Sequence, residues 1–156
     1  MPEAELYKVA YDEAVRALSE QQTAIESVRS RAGLLLSAAA VTTSFLGGQA
    51  LQGGSSSLFS GLALISFVAV ATTALAILRP RSWEFTANPR RVVKGFAESA
   101  EAIRLEDLHR DLSLHMHGSY LVNHQGLQEL ALLFQAASGL LTLEVVLWIA
   151  AIALDL

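Results

Sequence analysis

The chain has no cysteine, and only three prolines and two tryptophans among its 156 residues. The lack of cysteine excludes disulfides, thiol catalysis and cysteine-ligated metals, and it leaves the redox compartment unmarked. Charge is scarce as well. Asp, Glu, Lys and Arg make up 17% of the residues, where about 25% is usual for a soluble domain. Hydrophobic residues reach 53%, so the composition excludes disorder and disfavours an ordinary soluble domain. A net charge of −4 gives no general electrostatic footprint for nucleic acid, and none is expected as a partner. No Gly-rich phosphate loop, nucleophile elbow or His-Glu-x-x-His zinc motif occurs. The chain is read as a non-enzyme, with no catalytic residue, cofactor or metal.

The most informative absence is local. Positions 32–78 carry no ionisable side chain, and Arg31 and Arg79 bound the run. One helix over that stretch would measure about 70 Å, far more than a bilayer core of about 30 Å. The turn-forming cluster Gln52-Gly53-Gly54-Ser55-Ser56-Ser57 divides it, which predicts spans over 32–51 and 58–78. A third span is predicted over 132–154, where Glu144 is the only charge. A soluble bundle of this size has no means of burying every face of such helices. Basic residues set the orientation. Arg29 and Arg31 precede the first span, and Arg79, Arg81, Arg90, Arg91 and Lys94 follow the second, while the loop between has none. By the positive-inside rule the N-terminus and the segment 79–129 are cytoplasmic, and three crossings put Asp155-Leu156 outside. Residues 1–30 lack the apolar core of a secretory signal, so the first span is read as an uncleaved anchor.

Two cytoplasmic helices continue into the spans. Tyr7, Tyr11, Ala14, Leu18, Gln21, Ile25, Val28, Ala32 and Leu35 recur at steps of four and three, the repeat of a coiled-coil-like seam. The seam fits either association between subunits or packing within one subunit. It predicts a continuous helix over 3–51, whose cytoplasmic part would extend about 43 Å. Leu105, Leu108, Leu112, Met116, Tyr120, Asn123, Leu127, Leu130, Phe134, Ala137 and Leu141 form a second such stripe. That helix, beginning near Glu101, would run about 48 Å before reaching the bilayer. Stalks of nearly equal length can lie side by side in parallel. Between them, Asn88 and Pro89 read as the N-cap and first residue of a short helix through Val92 and Val93, and Trp83 and Phe85 suit the lipid interface or a wedge against the stalks. The fold is thus expected to be all-α: an integral membrane protein with three transmembrane helices, two of them continuing as long parallel cytoplasmic stalks. Its parts are a stalk over 1–31, a hairpin over 32–78, a connector and second stalk over 79–131, and a third span over 132–156.

Three features carry candidate function. Gly33, Ser37, Ala40, Ser44 and Gly47 form a small-residue stripe on the first span, suited to close helix contact. It serves subunit association or a polar pore wall, with Thr42, Thr43 and Gln49 nearby, or else packing against the chain's other spans. Glu144 lies near mid-membrane, where an ionisable residue is costly and marks a functional site by default. It faces a water-filled path or bonds to a Ser or Thr of another span. Asn123 interrupts the second stripe and either fixes register between helices or binds a ligand. The histidines, His109, His115, His117 and His124, all fall on the second stalk. His115 and His117 project about 200° apart on a helix, so they do not ligate one metal together.

Arg31-Ala32-Gly33-Leu34-Leu35 leading to Phe45-Leu46-Gly47-Gly48, then Trp83-x-Phe85-x-x-Asn88-Pro89, Tyr120-x-x-Asn123 and Glu144-x-x-x-Trp148, resemble a group of small bacterial membrane proteins. These are the SLATT-type and Pycsar-type transmembrane effectors of antiphage signalling. The resemblance covers nearly the whole chain, mainly as architecture, although no recognisable nucleotide-binding module is present. It implies an oligomer in the bacterial inner membrane that answers a cyclic nucleotide or a cytoplasmic sensor protein and then compromises the bilayer; the seam and the small-residue stripe predict that this is a parallel homo-oligomer. Under that reading Trp83, Arg90, Arg91 and Asn123 are candidates for sensing the signal. A constitutive homo-oligomeric ion channel and a membrane scaffold that docks a cytoplasmic partner remain as alternatives.

Overall fold

A computed structural model describes residues 3–52, 58–85 and 104–154. Among these there is no strand. Helix α1 spans Glu3–Thr42, a π-helical turn follows at Thr43–Gly47, and α2 covers Gly48–Gln52. Helix α3 spans Leu58–Leu78 and α4 spans Leu105–Leu154. The expected continuous first helix therefore carries a π turn, and the helix expected over 58–78 has those bounds. Helix α4 begins at Leu105, where the Arg104 carbonyl accepts hydrogen bonds from the Asp107 and Leu108 amides. Glu106 and Asp107 in that first turn oppose the positive end of the helix dipole. At its other end α3 stops before Pro80, because the residue preceding a proline is driven out of helical geometry. The short helix expected from Asn88 and Pro89, the start near Glu101, Arg90, Arg91, the loop 53–57 and Asp155-Leu156 lie outside the described residues.

The chain divides into two compact units, Met1–Ile25 with Arg81–Gln128 and Glu26–Pro80 with Glu129–Leu156. In the first, α1 and α4 segments run side by side and parallel. Tyr11 stacks on His109 with ring centroids 5.3 Å apart, and ten residues later the Gln21 amide donates to the Tyr120 carbonyl at 3.0 Å. Leu18, Gln21, Ile25, Met116, Ser119 and Asn123 are buried there. The seam is thus covered by the chain's own α4 in this unit.

The second unit is a three-helix bundle. Leu35 and Ala39 meet Val70 and Ala137, flanked by Phe67, Phe134, Leu140 and Leu141. A second layer gathers Ala50, Ala63, Trp148 and Ala151. Numbers rise together along the first and last helices and fall along α3, so α3 is antiparallel to both. Ser66 ties α3 to α4 by donating to the Leu140 carbonyl at 2.9 Å. The outer face of this unit is apolar as well as its core. Leu34, Val41, Phe45, Ile65, Val68, Leu75, Leu132, Val146 and Ile149 point outward, while Ser60, Ser66 and Glu144 are buried. Water would penalise that pattern, whereas hydrocarbon rewards it. Three helices of the chain are long and apolar enough to cross a membrane, by length and composition.

Candidate functional site

Two polar constellations stand out, one in each unit. In the bundle, Glu144 has no exposed surface at all. Thr43, the first residue of the π turn, donates its hydroxyl to Glu144 Oε1 at 2.5 Å. Glu144 Oε2 and the indole Nε1 of Trp148, one turn further along α4, are buried without a hydrogen-bond partner. The Trp148 ring lies against Gly47, the last residue of the π turn, so closely that a Cβ there would fall 3.0 Å from two ring carbons. Helix α4 therefore meets both ends of the π turn, with a carboxyl at Thr43 and an indole at Gly47. A π turn adds one residue to a helical register, and such turns recur at functional positions. Here both contacts point inward.

The polar candidates divide accordingly. Of Thr42, Thr43, Ser44 and Gln49, only Thr43 bonds to Glu144; Thr42 is half-buried, and Ser44 and Gln49 are exposed. Glu144 is bonded to a hydroxyl of another helix and faces protein. The small-residue stripe divides too. Gly47 packs under Trp148, but Ser37, Ala40 and Ser44 are exposed, and a Cβ at Gly33 would meet nothing within 4 Å. Packing against the chain's own spans thus accounts for Gly47 alone. The hydroxyls of Ser37 and Ser44 fold back on the Gly33 and Ala40 carbonyls at 3.0 and 2.7 Å, which leaves a smooth outer face.

In the other unit the segment after α3 is pinned to α4. Asn123, only 1% exposed, pairs both ends of its side-chain amide with the backbone of one residue. Its Oδ1 accepts from the Glu84 amide at 3.2 Å, and its Nδ2 donates to the Glu84 carbonyl at 2.8 Å. Ser119, one turn earlier on α4, donates to Glu84 Oε2 at 3.3 Å. Trp83 lies over Gly126, where a Cβ would come within 2.7 Å of the ring. Asn123 therefore fixes the connector, which neither of its two sequence readings anticipated. Trp83 takes the wedge role against the stalk. An open groove of about 410 Å3 lies nearby in the same unit, between Ala10, Glu13, Ala14 and Ala17 on α1 and Ser113, Leu114, Met116, His117 and Tyr120 on α4.

Sequence reasoning missed Glu84, Ser119 and Gly126. The available signal was the spacing of Ser119, Asn123 and Gly126, which shares one face of a helix and combines two short polar side chains with a gap. Among the described residues no group of three or more His, Asp or Glu is placed to hold a metal. No known protein family, curated protein or solved structure matches the chain.

Proposed function

We propose that the chain is an integral protein of the bacterial inner membrane that associates through its first span and acts on the bilayer, as a membrane-perturbing effector of antiphage signalling. The observation that carries the reading is the apolar outer face of the bundle, which exposes Leu34, Val41, Phe45, Ile65, Val68, Leu132 and Val146 while Ser60, Ser66 and Glu144 are among the buried residues. The uncovered strip of Gly33, Ser37, Ala40 and Ser44 supports parallel association of copies, since small residues let helices approach closely in lipid. The N-terminus is cytoplasmic, the three spans follow, and residues 3–31 and 105–131 of α1 and α4 form parallel cytoplasmic stalks. These receive the signal, a cyclic nucleotide or a sensor protein. The effector role itself rests on the resemblance described above.

Ion flux from liposomes bearing the purified protein, with and without cyclic nucleotides, tests it. Flux only with ligand is the expected result. Unconditional flux would make the chain a constitutive channel, and none under any condition would leave a scaffold. The scaffold reading has its own support in the open groove, whose alanine-lined floor suits a helix from a cytoplasmic partner.

A further inference from the structure

We propose that Arg29 and Arg79 together bind the phosphate of an anionic lipid headgroup at the cytoplasmic end of the hairpin. The inference rests on the membrane-spanning reading. Its ground is the way the two arginines are built into one place. Arg29 reaches from α1 to the end of α3 and donates Nη2 to the Arg79 carbonyl at 3.1 Å. The Arg79 carbonyl lies just past the C-terminus of α3, beside the negative end of the helix dipole, about half an elementary charge in sum. The Arg29 bond satisfies that carbonyl and sets one guanidinium at the helix end on the residue that carries the other, exposed, guanidinium. Arg29 Nε is buried without a partner, and Arg79 is exposed and, among the described residues, in no ion pair.

The described acids of the unit are Glu26, Glu129 and Glu144. Glu26 and Glu129 are already engaged, and Glu144 is buried against Thr43. Arg79 bounds the uncharged run 32–78 and Arg29 lies within one helical turn of its other end, near the depth at which lipid phosphates lie if that run crosses the bilayer. Guanidinium groups fit the fork of phosphate oxygens and form charge-assisted bonds to it. Soluble phosphate offers the same oxyanion, but the lipid phosphate is already held at this level.

Arg31 supplies an internal control. It is exposed, two residues beyond Arg29 and thus about 200° around the helix. A diffuse attraction to an anionic surface would count it equally, whereas a built site would not. Delipidated protein in detergent is titrated with phosphatidylglycerol or phosphatidylcholine, and bound lipids are counted by native mass spectrometry. The expected result is preferential binding of phosphatidylglycerol, weakened about tenfold by Arg79→Gln or Arg29→Gln, with Arg31→Gln within twofold of the native chain. Excess inorganic phosphate should leave the lipid bound. Arg79→Gln retains the bond from Arg29 to the backbone carbonyl, so it decides the matter if Arg29→Gln fails to fold. Equal losses for all three variants, no loss for Arg79→Gln, or displacement by inorganic phosphate would overturn the site. A chain recovered outside the membrane fraction would instead overturn the spanning reading.

Discussion

A carboxyl group surrounded by hydrocarbon side chains needs hydrogen bonds to offset its desolvation, and in this protein Glu144 obtains one from Thr43. Glu144→Gln keeps an acceptor of the same shape at the same place, so its melting temperature in detergent should stay close to that of the native chain. Glu144→Leu removes the acceptor and sets a branched side chain beside Trp148, which should lower stability by about 1 kcal/mol, the scale of interhelical hydrogen bonds in membranes. Equal melting of the two variants would show that the bond contributes nothing. Gly126 offers a different test. Adding a Cβ there forces the Trp83 ring to move, so Gly126→Ala in a Trp148→Phe background should shift the remaining tryptophan emission to the red and cost about 1–3 kcal/mol by overpacking. The need for Glu144 to find a partner was legible from its isolation in an apolar run. Thr43 was one of several hydroxyls within reach, and only the packing of two helices selects it.

Helices were the most legible level, because the absence of charge and the repeat of apolar positions act over many residues at once. The limits of α3 follow from a turn cluster at one end and Arg79-Pro80 at the other. The π turn was not legible, since nothing in Thr43-Ser44-Phe45-Leu46-Gly47 distinguishes it from an α-helical turn before the neighbouring helix is in place. The connector was illegible for a related reason: its hold on α4 comes from a side-chain amide that mimics a backbone partner. Asn123→Leu removes both bonds to the Glu84 backbone and leaves its N–H and C=O unsatisfied, a loss of about 1–3 kcal/mol. Hydrogen exchange at the Glu84 amide should accelerate accordingly while exchange in α3 remains unchanged. Asn123→Asp should give an intermediate result, because it keeps the acceptor, loses the donor and places a second negative charge near Glu84.

At the scale of the whole molecule, charge asymmetry predicts topology and the exposed strip predicts association. A reporter active only outside the cytoplasm, fused after Leu156, should be active; activity of a cytoplasm-only reporter at the same position would reverse the assignment. Gly33→Leu and Ser37→Leu add bulk to a face that meets nothing within the chain. They should leave the fold intact and reduce the oligomer to smaller species in detergent, as read by size-exclusion chromatography with light scattering. Unchanged size would assign that face to lipid. Composition alone separates this chain from soluble domains, but which surfaces remain uncovered emerged only once α1, α3 and α4 were packed.

The parallel pairing of α1 with α4 also sets a timetable. Thr43 waits for Glu144 across 101 residues of chain, and Ser66 waits for Leu140 across 74. At the usual pace of synthesis, about 5–20 residues per second, the first of these gaps lasts roughly 5–20 s. During that interval the hairpin exists without its third helix, and the faces that will receive Glu144, Trp148 and Leu140 are open to whatever surrounds the nascent chain. Such hydroxyls can turn back on their own helix meanwhile, as Thr72 and Thr73 do on the Val68 and Ala69 carbonyls. The growing hairpin is therefore an incomplete object with a defined vacancy, and the order of translation lets these contacts form only after the C-terminal part of α4 has been made.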